Sequence, residues 1–239
     1  MKKIRNLMIL AIAIASFSTL SYAGSFGVGA NFAQTEVSAS GTENTEGLTT
    51  DTSTRTKSVD SDALIANIYA EYVTEPFSFT SEGNGLAFGF QWTPGVANVS
   101  DAVHKRTDAA TGPATDLGKT DQGGTYSAHA QVENYHNFYV ELPVYGMFYA
   151  KFGLSSIDVV TMETSSNGGS YGDATLDGTN LGLGMKGKFT DNLVYKVFYE
   201  QTDFDQLKLS STGNAASTAH ELTADLDTAA LGFSIGYSF

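Results

Sequence analysis

The stretch Ala229–Phe239, AALGFSIGYSF, alternates between two kinds of side chain. Large apolar residues occupy every second position from Leu231 to Phe239, and glycine, serine or alanine stands between them. In a β-strand these two sets point to opposite faces. The stretch therefore predicts a strand with one apolar, aromatic face and one face that has almost no side chains.

The same alternation predicts seven more strands before this one. They are Gly24–Ser38, Asp62 to about Thr80, Gly85–Thr93, Gly124–Leu142, Met147–Val160, Leu176–Phe189 and Leu193–Leu209. Phe77 and Phe79 are out of phase with the first half of the second strand, so we expect a bulge or bend near Pro76. Together with the last stretch, these segments predict eight strands.

The predicted connections alternate between short and long. Short turns are expected at Ser81–Asn84, Pro143–Gly146 and Thr190–Asn192, and long polar loops at Ala39–Ser61, Pro94–Gly123, Thr161–Thr175 and Ser210–Asp227. This asymmetry is typical of outer-membrane barrels, whose long loops are extracellular and whose short turns are periplasmic. We therefore expect an all-β fold: an eight-stranded antiparallel transmembrane β-barrel with four long extracellular loops, forming one domain over residues 24–239.

The first 23 residues have the three parts of a secretory signal peptide. Lys2, Lys3 and Arg5 form a basic start, Leu7–Ala15 is continuously apolar, and small residues precede Gly24. The apolar segment is too short to span a membrane as a helix, which needs about 20 residues. The sequence thus predicts cleavage between Ala23 and Gly24, and export to the outer membrane.

The composition excludes several classes of protein. The chain of 239 residues has no cysteine, which rules out a disulfide framework and cysteine-ligated zinc. Its net charge of −13 argues against a nucleic-acid partner, which requires clustered Lys and Arg. We find no spacing that predicts a cofactor or a metal site.

Charged residues within the predicted strands share one face. They are Glu71, Glu133, Glu141, Glu200, Lys151, Lys186, Lys188 and Lys196. A lysine that faced lipid near the bilayer midplane would cost about 2–4 kcal/mol, so this face is expected to line the lumen. Because the lumen of an eight-stranded barrel holds only side chains, we expect these four acids and four bases to pair and to plug it.

Aromatic residues of the opposite face cluster toward the two ends of the predicted strands. Phe26, Phe79, Tyr145, Phe189, Tyr237 and Phe239 lie toward the short turns, and Trp92, Tyr126 and Tyr199 toward the long loops. Amphipathic rings are enriched at headgroup depth. Two aromatic belts around a lipid-facing surface are therefore expected.

One strand carries a possible catalytic set. Ser127, His129 and Glu133 share a face of the fourth predicted strand, and such a trio could serve nucleophilic catalysis. Lipid A deacylases carry a His and a Ser two residues apart on the barrel wall, but there His comes first and the pair faces lipid. Here the order is reversed and the face is predicted to be luminal, so we expect a hydrogen-bonded luminal histidine and no enzyme.

The C-terminal pattern resembles the assembly signal of bacterial outer-membrane barrels. It is carried by Leu231, Phe233, Ile235 and Tyr237, and by Phe239 as the final residue. The resemblance implies that the barrel-assembly machinery reads this strand. In strand number and loop pattern the chain resembles the small eight-stranded group of OmpA, OmpX and opacity-like barrels, without the periplasmic domain of OmpA.

These patterns favour a monomeric protein with a structural or surface role, in contact with outer-membrane lipid and lipopolysaccharide. Three alternatives stay open: a narrow pore for small solutes, an adhesin and a lipid-modifying enzyme. The first and last long loops, which have few large apolar side chains, are expected to be hydrated and mobile. Their acidic residues form a second hypothesis, weak divalent-cation binding. These are Glu43, Glu46, Asp51, Asp60, Glu221, Asp225 and Asp227.

Overall fold

The computed structural model describes residues 24–45, 53–81, 83–99, 104–108, 124–165, 170–212 and 220–239. They form eleven strands: β1 Gly24–Thr45, β2 Ser53–Pro76, β3 Gly85–Trp92, β4 Val96–Asn98, β5 His104–Asp108, β6 Gly124–Tyr145, β7 Phe148–Ser165, β8 Ala174–Lys188, β9 Leu193–Phe204, β10 Leu207–Ser210 and β11 His220–Ser238. Within these residues, no helix has the length and apolar character needed to cross a bilayer.

Eight of the strands close into an antiparallel ring. The order is β1-β2-β3-β6-β7-β8-β9-β11, and β11 pairs back with β1 from Gly27↔Ser238 to Thr45↔His220. The amide of Phe239 donates a further hydrogen bond to the carbonyl of Phe26 (2.8 Å). Closure matters because an unpaired strand edge in lipid leaves backbone groups unsatisfied at several kcal/mol each.

Several strands are longer than the sequence pattern predicts. The predicted loop Ala39–Ser61 is largely a continuation of β1 and β2, which stay paired up to Thr45↔Ser53. The predicted loop Ser210–Asp227 contains the first half of β11, and Pro94–Gly123 contains β4 and β5. The apolar alternation stops at the membrane surface, whereas backbone pairing continues above it on Thr- and Ser-rich segments. The predicted bounds of these loops are therefore wrong, because strands occupy much of both ranges.

Three shifts of register interrupt the strand pairing, and the third lies between Pro143 and Tyr145, at the β6–β7 turn. The register between β2 and β3 shifts between Val73 and Pro76, where the sequence predicts a bulge or bend. A second shift lies in β6 between Glu133 and His136, where Asn134 has a φ of 55°. This conformation is accessible to asparagine, and it inserts one extra residue into β6. As a result, even-numbered residues face inward above Asn134 and odd-numbered residues face inward below it.

The outer wall carries a band of exposed apolar side chains. On β1 the outward positions Phe26, Val28 and Phe32 are apolar and exposed, whereas the next two outward positions are Gln34 and Glu36. All six aromatic residues predicted for the short-turn belt are exposed, as are Trp92 and Tyr199 at the other end. The side chain of Tyr126 lies outside the described set. This band marks the surface that contacts lipid.

The interior changes character along the barrel axis. Within the height of the apolar band it is polar and charged, and above that height it is apolar. The apolar part is a cluster of buried side chains: Val37, Val99, Val132, Ile157, Val159, Leu176, Leu207, Leu209 and Leu226. The charged layer therefore lies inside the membrane-spanning part of the barrel.

Candidate functional site: a charged layer across the lumen

Six of the eight predicted luminal charges meet near the barrel axis. Glu71 comes from β2, Glu141 from β6, Lys151 from β7, Lys186 from β8, and Lys196 and Glu200 from β9. Each is at least nine-tenths buried. Three acids and three bases neutralise one another, which a buried charge requires. The strand alternation delivers all six side chains to the same enclosed space.

Lys196 is the central cation of this layer. Its Nζ lies 2.5 Å from Glu71 Oε2 and 2.7 Å from Glu141 Oε1. The other oxygen of Glu141, Oε2, lies 2.5 Å from Lys186 Nζ. Glu71 Oε2 also accepts a hydrogen bond from the Tyr139 hydroxyl (2.9 Å). One continuous chain of contacts therefore connects four strands of the wall.

Lys151 and Glu200 form a second pair within the layer. Lys151 Nζ lies 2.7 Å from Glu200 Oε1 and donates a hydrogen bond to Gln91 Oε1 (2.9 Å). Next to this pair, Asn180 Nδ2 donates to the Thr202 hydroxyl (2.9 Å), and Asn137 Nδ2 donates to Asn180 Oδ1 (3.1 Å). These amides and hydroxyls extend the polar layer toward the long-loop end.

Three tyrosines enclose the ammonium groups. Lys196 Nζ lies 4.7 Å from the ring centre of Tyr69, and Lys151 Nζ lies 4.3 Å from that of Tyr139. Lys186 Nζ lies 5.4 Å from the ring centre of Tyr149. Cation–π contacts of this kind gain strength in a desolvated site. These tyrosines are not among the predicted luminal residues, although each precedes a luminal Glu or Lys by two residues and so shares its face.

Each tyrosine ring packs against a glycine of a neighbouring strand. A Cβ at Gly89 would lie 2.3 Å from the Tyr139 ring, one at Gly184 would lie 2.5 Å from Tyr149, and one at Gly29 would lie 2.5 Å from Tyr69. A real Cβ does not fit at these distances. The small residues on the inner face therefore provide the space in which the rings and the lysines pack.

Glu133 does not belong to the layer, contrary to the prediction. The extra residue in β6 turns Val132 and Ala130 toward the interior, where they pack in the apolar cluster. Glu133 therefore faces outward, opposite the exposed Val96 and beside Asp158. The prediction was wrong because it extended one alternation through the whole strand.

Lys188 also lies outside the layer. It is near the short-turn end of β8, half-buried, and its methylene groups pack beside Gly83. It shares the luminal face of Lys186 but is two residues closer to the turn, so it lines the periplasmic mouth. The predicted set of eight is thus a layer of six with one charge at the mouth and one on the outer face.

The possible catalytic set is on the outside of the wall. Because the inward positions of upper β6 are even-numbered, Ser127 and His129 face outward, and His129 stands opposite the exposed Met162. The predicted luminal position was therefore wrong. Among the described residues, no hydrogen bond connects Ser127, His129 and Glu133. A triad requires the nucleophile and the base to be within hydrogen-bond reach.

The acidic residues proposed for cation binding are spread over paired strands. Asp60 and Asp227 flank Ser38 on either side of β1, while Glu221 and Asp225 lie on upper β11. Glu46 and Asp51 lie outside the described residues. In the part of the chain that the structure covers, no three His, Cys, Asp or Glu side chains come together in a way that could hold a metal ion.

A closed ring of eight antiparallel strands combines an apolar outer band with a charged interior. The architecture is that of a small transmembrane β-barrel. Barrels of this kind are proteins of bacterial outer membranes, and this chain is an outer-membrane protein whose apolar band contacts lipid. The long-loop end is then extracellular and the short-turn end is periplasmic.

Comparison with solved structures finds bacterial surface and outer-membrane proteins that align over most of this chain. Neisserial surface protein A aligns over 90% of this chain and 99% of its own, with 12% identity and a TM-score of 0.38. OprG from Pseudomonas aeruginosa aligns over 91% and 96%, with 13% identity and a TM-score of 0.44. The outer-membrane protease OmpT from Escherichia coli aligns over 90% and 97%, with 9% identity and a TM-score of 0.46. No family model matches the chain, and no curated protein matches its sequence.

Proposed function

We propose that this protein is a structural, surface-exposed outer-membrane barrel whose lumen is closed to solutes by the charged layer. The observation that carries the proposal is the double contact of Lys196 with Glu71 and Glu141, which bridges the barrel axis between three strands. Lys196 is only 3% exposed, Glu71 4% and Glu141 2%. A narrow pore requires a continuous wet path, and these side chains occupy the space in which it would run.

Two observations favour a closed barrel over a narrow pore and over an enzyme. The charged layer is neutral as a whole and its side chains are buried, which favours a closed lumen over a conduction path. The outward position of Ser127 and His129, without a bond between them, gives no support to catalysis. We further propose that the protein is a monomer, and that its terminal strand is read by the barrel-assembly machinery.

Planar-bilayer recording of the refolded protein tests the closed lumen. We expect no steady conductance from the wild type. The double variant Lys196→Ala/Glu141→Ala removes two bridging side chains of opposite charge, so the net charge of the layer stays zero. We expect this variant to open a measurable pore. The matched control, Lys208→Ala/Asp205→Ala, changes two exposed residues above the membrane and is expected to stay closed. A steady wild-type conductance would overturn the proposal.

A further inference from the structure

Among the described residues, the barrel wall has an opening between β2 and β4. The β2–β3 ladder ends at Ile68↔Trp92, and in the described residues β2 has no further partner on that side from Ser53 to Asn67. Beyond Trp92 the chain turns away through Pro94, and β4 pairs with β6. The wall therefore splits just above Trp92, at the upper edge of the apolar band.

A cavity of about 390 Å³ occupies this opening. Its lining includes the luminal side chains Tyr135 and Phe198, and also Leu64, which lies on the outer face of β2 and is 78% exposed. The cavity therefore passes from the outer surface of the barrel into the lumen. Its size is in the range of small-molecule sites, about 300–1,000 Å³.

The cavity has a polar floor and apolar walls. Gln91, Asn180 and Glu200, which belong to the charged layer, form the floor. Val37, Val132 and Ile157 of the apolar cluster form the upper wall. A molecule that fits both surfaces has one polar end and an apolar body.

Two side-chain amides at the floor use their oxygens, but not their nitrogens, in hydrogen bonds within the protein. Asn67 is 6% exposed, and its Oδ1 accepts a hydrogen bond from Asn31 (2.6 Å). Gln91 is 4% exposed, and its Oε1 accepts from Lys151. Among the described residues, no acceptor faces Asn67 Nδ2 or Gln91 Nε2. Both groups line the cavity, and neither amide nitrogen is enclosed by protein, so each is accessible to an oxygen of a ligand there.

The charge of the cavity selects against anions. Asp62 and Glu133 lie at its rim, and its lining contains no Lys, Arg or His among the described residues. Glu200 at the floor is already neutralised by Lys151. An anionic head group would meet the two rim carboxylates and no free cation.

We propose that this cavity is a binding site for an uncharged amphiphile with an acceptor oxygen, such as a long-chain alcohol or ester, that enters sideways from the outer leaflet. The oxygen accepts from Asn67 Nδ2 and Gln91 Nε2, and the alkyl chain packs between Tyr135, Ile157 and Phe198. The site lies above the charged layer, so binding and lumen closure are separate properties and are tested separately.

Photolabelling of the refolded protein in lipid nanodiscs tests the site. The probe is a diazirine-bearing long-chain alcohol, and mass spectrometry maps the labelled residues. We expect label on Tyr135, Ile157 or Phe198, in addition to the non-specific label on outward residues such as Phe152 and Leu231. An alkyl sulfonate with the same chain and diazirine is expected to label the outward residues only. Label confined to outward residues with both probes, or equal cavity label with both, would overturn the proposal.

Two matched variants test the position of the site. Ala230→Leu adds a side chain that fills the cavity, and Ala229→Leu adds the same side chain on the opposite face of β11. Because the added side chain occupies volume that the ligand needs, we expect roughly tenfold less cavity label for Ala230→Leu, with no loss for Ala229→Leu. Thr228→Leu, on the same face, replaces Ala230→Leu if that variant lacks the heat-modifiable mobility of a folded barrel. Unchanged cavity label in the folded variant would contradict the assignment.

A third variant tests the role of the amide donor. Asn67→Leu removes the donor, whereas Asn31→Leu breaks the same Asn31–Asn67 hydrogen bond but leaves the Asn67 donor in place. One lost hydrogen bond predicts that cavity labelling by the alcohol falls roughly threefold or more for Asn67→Leu, and less for Asn31→Leu. Equal labelling of the two variants would contradict recognition of an acceptor oxygen by Asn67.

Discussion

Among the described residues, Lys196 makes more ionic and ring contacts than any other luminal charge. It pairs with two carboxylates and faces the rings of Tyr69, Tyr139 and Tyr149. Removing one partner from a buried ion pair leaves the other charge without compensation, at a cost of about 3–5 kcal/mol. The energetic importance of this residue therefore exceeds that of any surface lysine.

We expect Lys196→Met to lower the free energy of unfolding by about 3–5 kcal/mol, because Glu71 and Glu141 would stay buried with less compensation. Urea titration of the refolded protein in detergent measures this change. Lys208→Met is the control, since Lys208 is an exposed residue of β10. Equal midpoints for the two variants would mean that the Lys196 charge is solvated.

Asp227 lies above the membrane band, in a row of carboxylates. Burial, followed by the neighbouring Asp203 and Asp60, raises the pKa of Asp227 above its ordinary value of 3.8. Because the folded state then holds this proton more tightly than the unfolded chain, the contribution of Asp227 to stability increases as the pH falls through the raised pKa. At neutral pH the ionised group destabilises the fold.

We therefore expect Asp227→Asn to raise the urea midpoint at pH 7, and to reduce the gain in stability that the wild type shows on acidification toward pH 4. Asp191→Asn, in an exposed turn at the opposite end, is the control and should change neither quantity. A midpoint for Asp227→Asn that is unchanged at pH 7 would show that the row of carboxylates does not repel.

At the scale of the strand, the inner face is built from glycine–tyrosine contacts between neighbours. Gly89 of β3 provides the space for the Tyr139 ring, whose hydroxyl donates to Glu71. Gly27 of β1 also faces inward, but a Cβ there would lie 3.6 Å from its nearest neighbour, which is ordinary contact. A side chain at Gly89 would therefore displace the Tyr139 ring, whereas Gly27 has room for a methyl group.

We expect Gly89→Ala to lower the free energy of unfolding by about 1–3 kcal/mol, because the added methyl displaces the Tyr139 ring from the charged layer. Gly27→Ala is the matched control and should be close to neutral. Comparing the urea midpoints of the two variants measures the difference. Similar midpoints would contradict the close packing of Tyr139 over Gly89.

At the scale of the whole molecule, the closing seam between β1 and β11 depends on the end of the chain. Phe239 donates the last backbone hydrogen bond to Phe26, and its ring contacts Tyr237 at a centroid distance of 5.1 Å. Together with the alternating apolar face of β11, these contacts place an aromatic ring at the periplasmic rim. Closure of the barrel therefore depends on this strand, and we propose that assembly depends on it as well.

We expect deletion of Phe239 to lower the fraction of protein recovered as heat-modifiable barrel in outer membranes, with a matching increase in periplasmic aggregate. Phe239→Tyr keeps an aromatic ring at the chain end and should behave as the wild type. Electrophoresis of heated and unheated membrane fractions measures both. A full yield without Phe239 would contradict its role in assembly.

The sequence by itself determined the eight-stranded ring, its short turns and the side of the wall that meets lipid. These features follow from side-chain alternation, which is a local property of each strand. It also placed Glu71, Glu141, Lys151, Lys186, Lys196 and Glu200 on one face, because a lysine in lipid is too costly.

Only the tertiary structure decided which charges meet and where the wall opens. Glu133 faces outward because the extra residue at Asn134 shifts the alternation of β6 by one position. Counting alternate residues along the sequence does not detect a single inserted residue. The pairing of Lys196 with Glu71 and Glu141 depends on the stagger of strands that are distant in sequence. The opening above Trp92 arises because β4 pairs with β6 and not with β2. Local pattern fixes the face of a residue, whereas its neighbours across the lumen depend on how the ring closes.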